Sequence, residues 1–246
     1  MPISSGSSSS SKKRIDNNAE AFISFFETWL VRQEHYLDEL ISVEKHCHES
    51  KEDDLKELIS RILAHYEEYY KEKSRIAQHN IFLVFSPPCF SSFEHTFLWA
   101  AGFKPGLAFR VLNGSVHDLS EEQVSRINML KQETKVSERV LNDELAKLQE
   151  SVASPPLVDA VRRRGRVVLG EERATGSDKS AVDRLGAEME AVVARGDLLR
   201  TNTVMKVVEI LTPVQNVKFL LAVAQLQLKT RKMGSQFADA GKIKNG

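Results

Sequence analysis

The 246-residue sequence lacks the residue spacings that known catalytic chemistries require. It has no Gly-x-x-x-x-Gly-Lys-Ser/Thr loop and no Gly-x-Gly-x-x-Gly turn, so no backbone cradle for phosphates is encoded. It has no His-Glu-x-x-His pair to place two zinc ligands on one helix face. His46-Cys47-His48-Glu49 sets neighbouring ligands in diverging directions and reads as a solvated helix end. Two cysteines, Cys47 and Cys89, are too few for a disulfide framework and imply a reducing compartment, with Cys89 as a small buried hydrophobe. There is no apolar run of about 18 residues for a membrane span, and nothing ahead of Ala19 resembles the apolar core of a secretory signal. Lysine plus arginine equal aspartate plus glutamate at 34 each, so no overall field draws in nucleic acid. No basic region runs into heptads as in a DNA-gripping bZIP fork.

What the sequence holds instead is helical periodicity. Residues 1–19 form a serine-rich arm with Lys12-Lys13-Arg14, too polar to offset its ordering entropy and expected to be disordered. From Phe22, the apolar residues Phe25, Phe26, Trp29, Leu30, Leu37, Leu40 and Ile41 fall at helical steps, and Leu55, Leu58, Ile59, Ile62, Leu63, Tyr66 and Tyr69 repeat the pattern. These predict an antiparallel hairpin, the second helix capped by Ser50 with Asp53 in third place. Pro87-Pro88 predict a turn, followed by a helix reaching about Ala101, a left-handed cap at Gly102 and a new helix started by Pro105. Ser120-Glu121-Glu122-Gln123 and Thr212-Pro213-Val214-Gln215 read as capping boxes. The stripe Ile127, Leu130, Leu141, Leu145, Leu148 and Val152 is interrupted at Thr134 and Ser137, favouring packing within the domain over a coiled-coil dimer. A mobile loop is expected at about 154–180, including Arg162-Arg163-Arg164-Gly165-Arg166, then a helix from about Ala181 to Leu211 and a last helix from Pro213. Phe82-Leu83-Val84-Phe85 is strand-like but short. The fold class is all-α: one helical bundle over 20–234 with a kinked central helix pair, and a flexible tail at 235–246.

Three segments carry a family resemblance: Phe25-Phe26-Glu27-Thr28-Trp29-Leu30; Phe97-Leu98-Trp99-Ala100-Ala101-Gly102-Phe103-Lys104-Pro105; and Asp118-Leu119-Ser120-Glu121-Glu122-Gln123 with Leu211-Thr212-Pro213-Val214-Gln215. With these, the chain resembles the plant Delay of Germination (seed dormancy control) domain, the domain that follows the bZIP of TGA transcription factors. It is most similar to the stand-alone members. The resemblance implies a non-enzymatic regulator, nuclear or cytoplasmic, that binds a protein phosphatase of abscisic acid signalling or a transcriptional regulator, with no direct nucleic-acid or membrane contact. It implies partner-binding positions at Phe26, Trp29, Leu30, Arg32 and Gln33, to which Trp99 and Arg110 of the central kink are added as a second surface. A variant with Trp29 and Arg32 changed to alanine is then expected to lose its partner while keeping its helicity. The dormancy regulator is similar to a haem binder, but its two histidine positions correspond to Gln227 and Arg231 here, so no cofactor is expected. The alternatives are a sensor holding haem or an acyl ligand between helices, and a DNA-associated factor that borrows a bZIP partner.

Overall fold

The long periodic stretches fold as helices in the computed structural model, which describes residues 7–46, 50–151, 153 and 176–243. In chain order the helices are α1 (Ser7–His46), α2 (Glu52–His79), α3 (Ile81–Phe85), α4 (Ser92–His95), α5 (Leu107–Ser115), α6 (Glu121–Ser151), α7 (Gly176–Ile210) and α8 (Pro213–Ile243). Among the described residues no strand occurs, only one isolated bridge between Trp99 and Gly102. The protein is all-α, and the strand-like Phe82–Phe85 is part of α3, started by the Asn80 carboxamide accepting from the Phe82 N–H at 3.1 Å.

Helix α8 is the axis of the bundle and touches α1, α2, α4 and α5, while α7 joins α6 to α2 and α3. The main core gathers Leu40, Leu58, Ile62, Leu112, Val207, Phe219 and Leu220. A second, around Phe22, Ile76, Ile81, Val84 and Val193, seals the other end. The interrupted stripe of α6 faces α7: Thr134 is buried with its hydroxyl 3.4 Å from that of Thr203, so the polar break is filled within the chain.

Both expected capping boxes form. The Gln123 N–H donates to the Ser120 hydroxyl at 3.2 Å and the Ser120 N–H donates back to the Gln123 carboxamide at 3.0 Å. Thr212 and Gln215 repeat this at 3.3 and 3.0 Å. The two glutamines also bond one another, Gln123 Nε2 donating to Gln215 Oε1 at 2.8 Å.

Several boundaries differ from expectation. Helix α2 is preceded by Lys51 without a side-chain cap, because the Ser50 hydroxyl turns back to the His46 carbonyl. Helix α1 begins at Ser7 and α8 runs to Ile243, so both reach into segments expected to be disordered. A helix nucleated by packing propagates readily through residues of moderate propensity such as serine and lysine. Residues 1–6, 47–49, 152, 154–175 and 244–246 lie outside the described residues, and with them the first six residues of the serine arm, Cys47-His48-Glu49, Val152 of the α6 stripe, and the Arg162–Arg166 run. The helix expected to reach Ala101 stops at His95. Pro105 sits just ahead of the Gly106 cap rather than in the first turn of α5.

Candidate functional site

On α1, the three- and four-residue steps from Phe22 to Gln33 turn one row of side chains onto α2. Trp29 has no exposed surface. Its indole stacks on His65 with centroids 4.4 Å apart and planes 5° apart, lies 6.1 Å from the Phe26 ring, and donates its N–H to the His65 carbonyl at 2.9 Å. Gln33 is buried and donates to the Tyr66 hydroxyl at 2.6 Å and to Gln227 at 3.2 Å. Phe26, Trp29 and Gln33 are therefore core residues, and this corrects their reading as a partner surface: aromatic and amide side chains that suit an interface equally suit a helix–helix seam. Of the α1 set, Leu30 is half-buried and Arg32 is exposed, its guanidinium paired with Glu68 at 2.8 Å.

His65 has no hydrogen-bond partner for either ring nitrogen. Burial, reinforced by the positive Arg32, pulls its pKa down to about 4 from an ordinary 6.5. The unfolded chain therefore takes up this proton at higher pH than the folded one. Stability is complete above pH 6.5 and falls as pH drops toward 4, by on the order of 3 kcal/mol over that window. Urea titrations at stepped pH should show this slope in the protein, and a His65→Phe variant should flatten it.

The central segment is held by a side chain far away in sequence. Arg200, on α7, is 5% exposed. Its Nε donates to the Phe103 carbonyl at 2.6 Å, and Nη2 donates to the carbonyls of Ala100, at 3.1 Å, and Trp99. These bonds hold Ala100 and Ala101 at φ 44° and 60°, a left-handed conformation that costs a residue with a Cβ roughly 1 kcal/mol or more. Gly102, expected to be the left-handed residue, is instead needed for close approach, since a Cβ there would lie 2.6 Å from the Arg200 guanidinium carbon. Nη1 of Arg200 bonds Asp197 at 2.6 Å, and Asp197 also accepts from Lys73 at 2.7 Å. Lys73 is 2% exposed, and burial beside Arg200 draws its pKa down to about 8 against the pull of Asp197.

The outcome is a rigid knob. Trp99 is half-buried, with its N–H on Asn142 at 2.6 Å and the Arg200 guanidinium 5.5 Å from its ring, whereas Phe97 is 47% exposed and Lys104 is exposed. Arg110 is exposed on α5. Among the described residues, neither Trp99 nor Arg110 shares a hydrogen bond, ion pair or ring contact with the α1 set, so the structure presents two separate faces.

Gln227 and Arg231 are half-buried and take part in packing. Gln227 accepts from Gln33 and from the Tyr66 hydroxyl, both at 3.2 Å. Arg231 binds Glu94 at 3.0 Å and the Cys89 carbonyl, over the Phe26 ring. Burial raises the Cys89 thiol to about 11, which makes it a poor nucleophile. Among the described residues no group of three or more side chains is arranged for a metal.

Lys73, Asp197 and Arg200 escape a reading of the sequence. Yet Lys73 falls in register with Ile62, His65, Tyr69 and Ile76 on the packed face of α2, and a cation in that register signals a buried ion network.

Comparison with known proteins places relatives beside this geometry. The family described as "Seed dormancy control" matches residues 36–113. The chain is 37% identical over 223 residues to Protein ZW2 of Arabidopsis thaliana, covering 89% of this chain and 99% of that protein. It is also 37% identical over 221 residues to Protein RESPONSE TO ABA AND SALT 1 of the same plant, covering 87% and 95%. Transcription factor HBP-1b(c38) of Triticum aestivum is 28% identical over 232 residues, which span 94% of this chain and 69% of that factor.

Proposed function

Given that the chain belongs to the seed dormancy control family, we propose that it acts without catalysis, as a regulator of dormancy, abscisic acid responses and transcription that works by binding another protein. The partner is a protein phosphatase of abscisic acid signalling or a transcriptional regulator, a bZIP factor included, met in the nucleus or cytoplasm. The relatives named for a response to ABA and for transcription support this class. No helix among the described residues is long and apolar enough to cross a membrane.

The observation that carries the reading is the knob from Phe97 to Lys104. Strained non-glycine backbone persists only where its surroundings over-determine it, and a fixed, half-exposed aromatic loop loses little entropy on binding. The surface that remains available comprises Phe97, Trp99 and Lys104, with Arg110 beyond, and on the other face Leu30, Val31 and Arg32 of α1. The phosphatase or bZIP partner would be blocked or relocated by occupation of its own surface.

The test changes only exposed side chains. Phe97→Asp with Lys104→Ala, and separately Val31→Asp with Arg32→Ala, should each shift stability by about 1 kcal/mol or less. At least one pair should weaken capture of the phosphatase or a bZIP factor by tenfold or more, about 1.4 kcal/mol. Undiminished capture by both folded variants would remove these faces from the site.

A further inference from the structure

Helix α4 is a single turn and owes its position to α8. The Ser91 N–H donates to the Glu94 carboxylate at 2.7 Å, and Arg231 of α8 donates to the same carboxylate at 3.0 Å. Gly234, three residues further along α8, lets the two elements meet, since a Cβ there would lie 2.1 Å from the Ser91 hydroxyl oxygen. This clamp brings Phe93 onto Phe237, with ring centroids 5.1 Å apart. Phe97 stands edge-on to Phe93 at 4.9 Å.

The rings are fixed and yet open to solvent. Phe237 is 59% exposed, Phe97 47% and Met233, one helical turn before Phe237, 45%. Residues four apart are neighbours on a helix surface, so Met233 and Phe237 share a row whose preceding position is Lys229. Together they form an apolar strip from Phe97 over Phe93 to Phe237 and Met233. The strip starts where the knob starts. Aromatic surface that a fold holds contiguous and exposed marks a place of contact with another molecule.

Charge selects what that molecule is. The chain is balanced as a whole, but α8 from Lys229 to Lys242 carries four basic residues against one acidic residue. Arg231 is spent on the buried Glu94, whereas Lys229 and Lys232 are exposed and, among the described residues, make no hydrogen bond or ion pair. Unpaired cations beside an apolar strip are complementary to an apolar segment flanked by carboxylates. The two ring-to-ring steps, 4.9 and 5.1 Å, also suit a docked helix, whose anchors at i, i+4 and i+7 span about 10 Å. Nucleic-acid stacking is disfavoured because the rings meet at 69° and 34°, so no parallel faces stand open for successive bases.

We propose that the strip of Phe97, Phe93, Phe237 and Met233 docks an acidic amphipathic helix of a partner protein, its apolar anchors on the rings and its carboxylates against Lys229 and Lys232. The inference rests on the protein-binding reading and extends that site from the knob across α4 to the end of α8. It commits the partner to an anionic segment.

Full-length protein would be titrated, by fluorescence anisotropy, into a labelled synthetic helix with leucines at i, i+4 and i+7 among glutamates and alanines, and into the same peptide with lysines for glutamates. The acidic peptide should bind at least tenfold tighter than the basic one and weaken as salt is raised. Phe237→Ser should lose at least tenfold with circular dichroism unchanged, and Lys229→Glu with Lys232→Glu should reverse the preference between the peptides. The proposal is overturned if wild-type protein binds the two peptides alike or binds neither, or if Phe237→Ser or the charge-reversed variant behaves as wild type. It is also overturned if oligothymidine or phosphatidylserine vesicles bind in place of the acidic peptide with higher affinity. Phosphatase or bZIP capture that is lost in Phe97→Asp with Lys104→Ala but normal in Phe237→Ser would overturn it and leave the docking reading intact. Peptide binding at the strip with neither protein captured would support this site and remove those two partners.

Discussion

Trp29→Ala is expected to lower the free energy of unfolding by about 3–5 kcal/mol, the usual range for removing a fully buried aromatic. The indole takes with it the stack on His65, the contact with Phe26 and the bond to the His65 carbonyl, all at the seam between α1 and α2. Arg32→Ala, which removes only an exposed ion pair with Glu68, should change stability by about 1 kcal/mol or less. Urea denaturation followed by circular dichroism measures both. A variant carrying both changes would thus lose a partner through a loosened hairpin, and its failure in a pull-down would say nothing about the interface. If Trp29→Ala stays within about 1 kcal/mol of wild type, α1 does not dock on α2 in solution as described.

Arg200→Ala and Lys73→Met should act with opposite signs although both touch Asp197. Removing the guanidinium leaves the carbonyls of Ala100 and Phe103 without their partner and that of Trp99 with the Gly102 amide alone, and about 1–3 kcal/mol for each unsatisfied group makes a loss of about 2–5 kcal/mol reasonable. Hydrogen exchange at the Gly102 amide, which now donates to the Trp99 carbonyl at 3.1 Å, should accelerate as the loop is released. Lys73→Met instead leaves Asp197 with Arg200 and removes a poorly solvated ammonium, so stability should hold or rise. Because the folded Lys73 pKa of about 8 is below its ordinary 10.5, the unfolded chain holds the proton more tightly between those values. Stability of the wild type should therefore climb as pH rises from 8 to 10.5, and this contribution should vanish in Lys73→Met. Equal losses from the two substitutions would contradict the described network.

The fold is legible in the sequence where local chemistry decides it. Ser120 with Gln123 and Thr212 with Gln215 are complete local instructions, and both boxes form. The breaks at Thr134 and Ser137 point to packing inside the chain, and Thr203 answers the first of them. The segment after Phe93 misleads because Phe97-Leu98-Trp99-Ala100-Ala101 has an apolar helical pattern and no breaker. What ends the helix is Arg200, which collects carbonyls that a continuing helix would have used itself. Residue type alone also fails at Phe26, Trp29 and Gln33. Side chains that dominate interfaces dominate cores for the same reason, and only the partner element tells the two apart.

The bonded pair of glutamines at the heads of α6 and α8 has a consequence for how the protein is made. Gln123 leaves the ribosome long before Gln215, so the α6 box can close early while its bond to the head of α8 waits until most of the chain has been synthesised. A product cut within the intervening stretch would keep every residue of the α6 box and still lack its mate. Such a fragment cannot tie the two helix heads together.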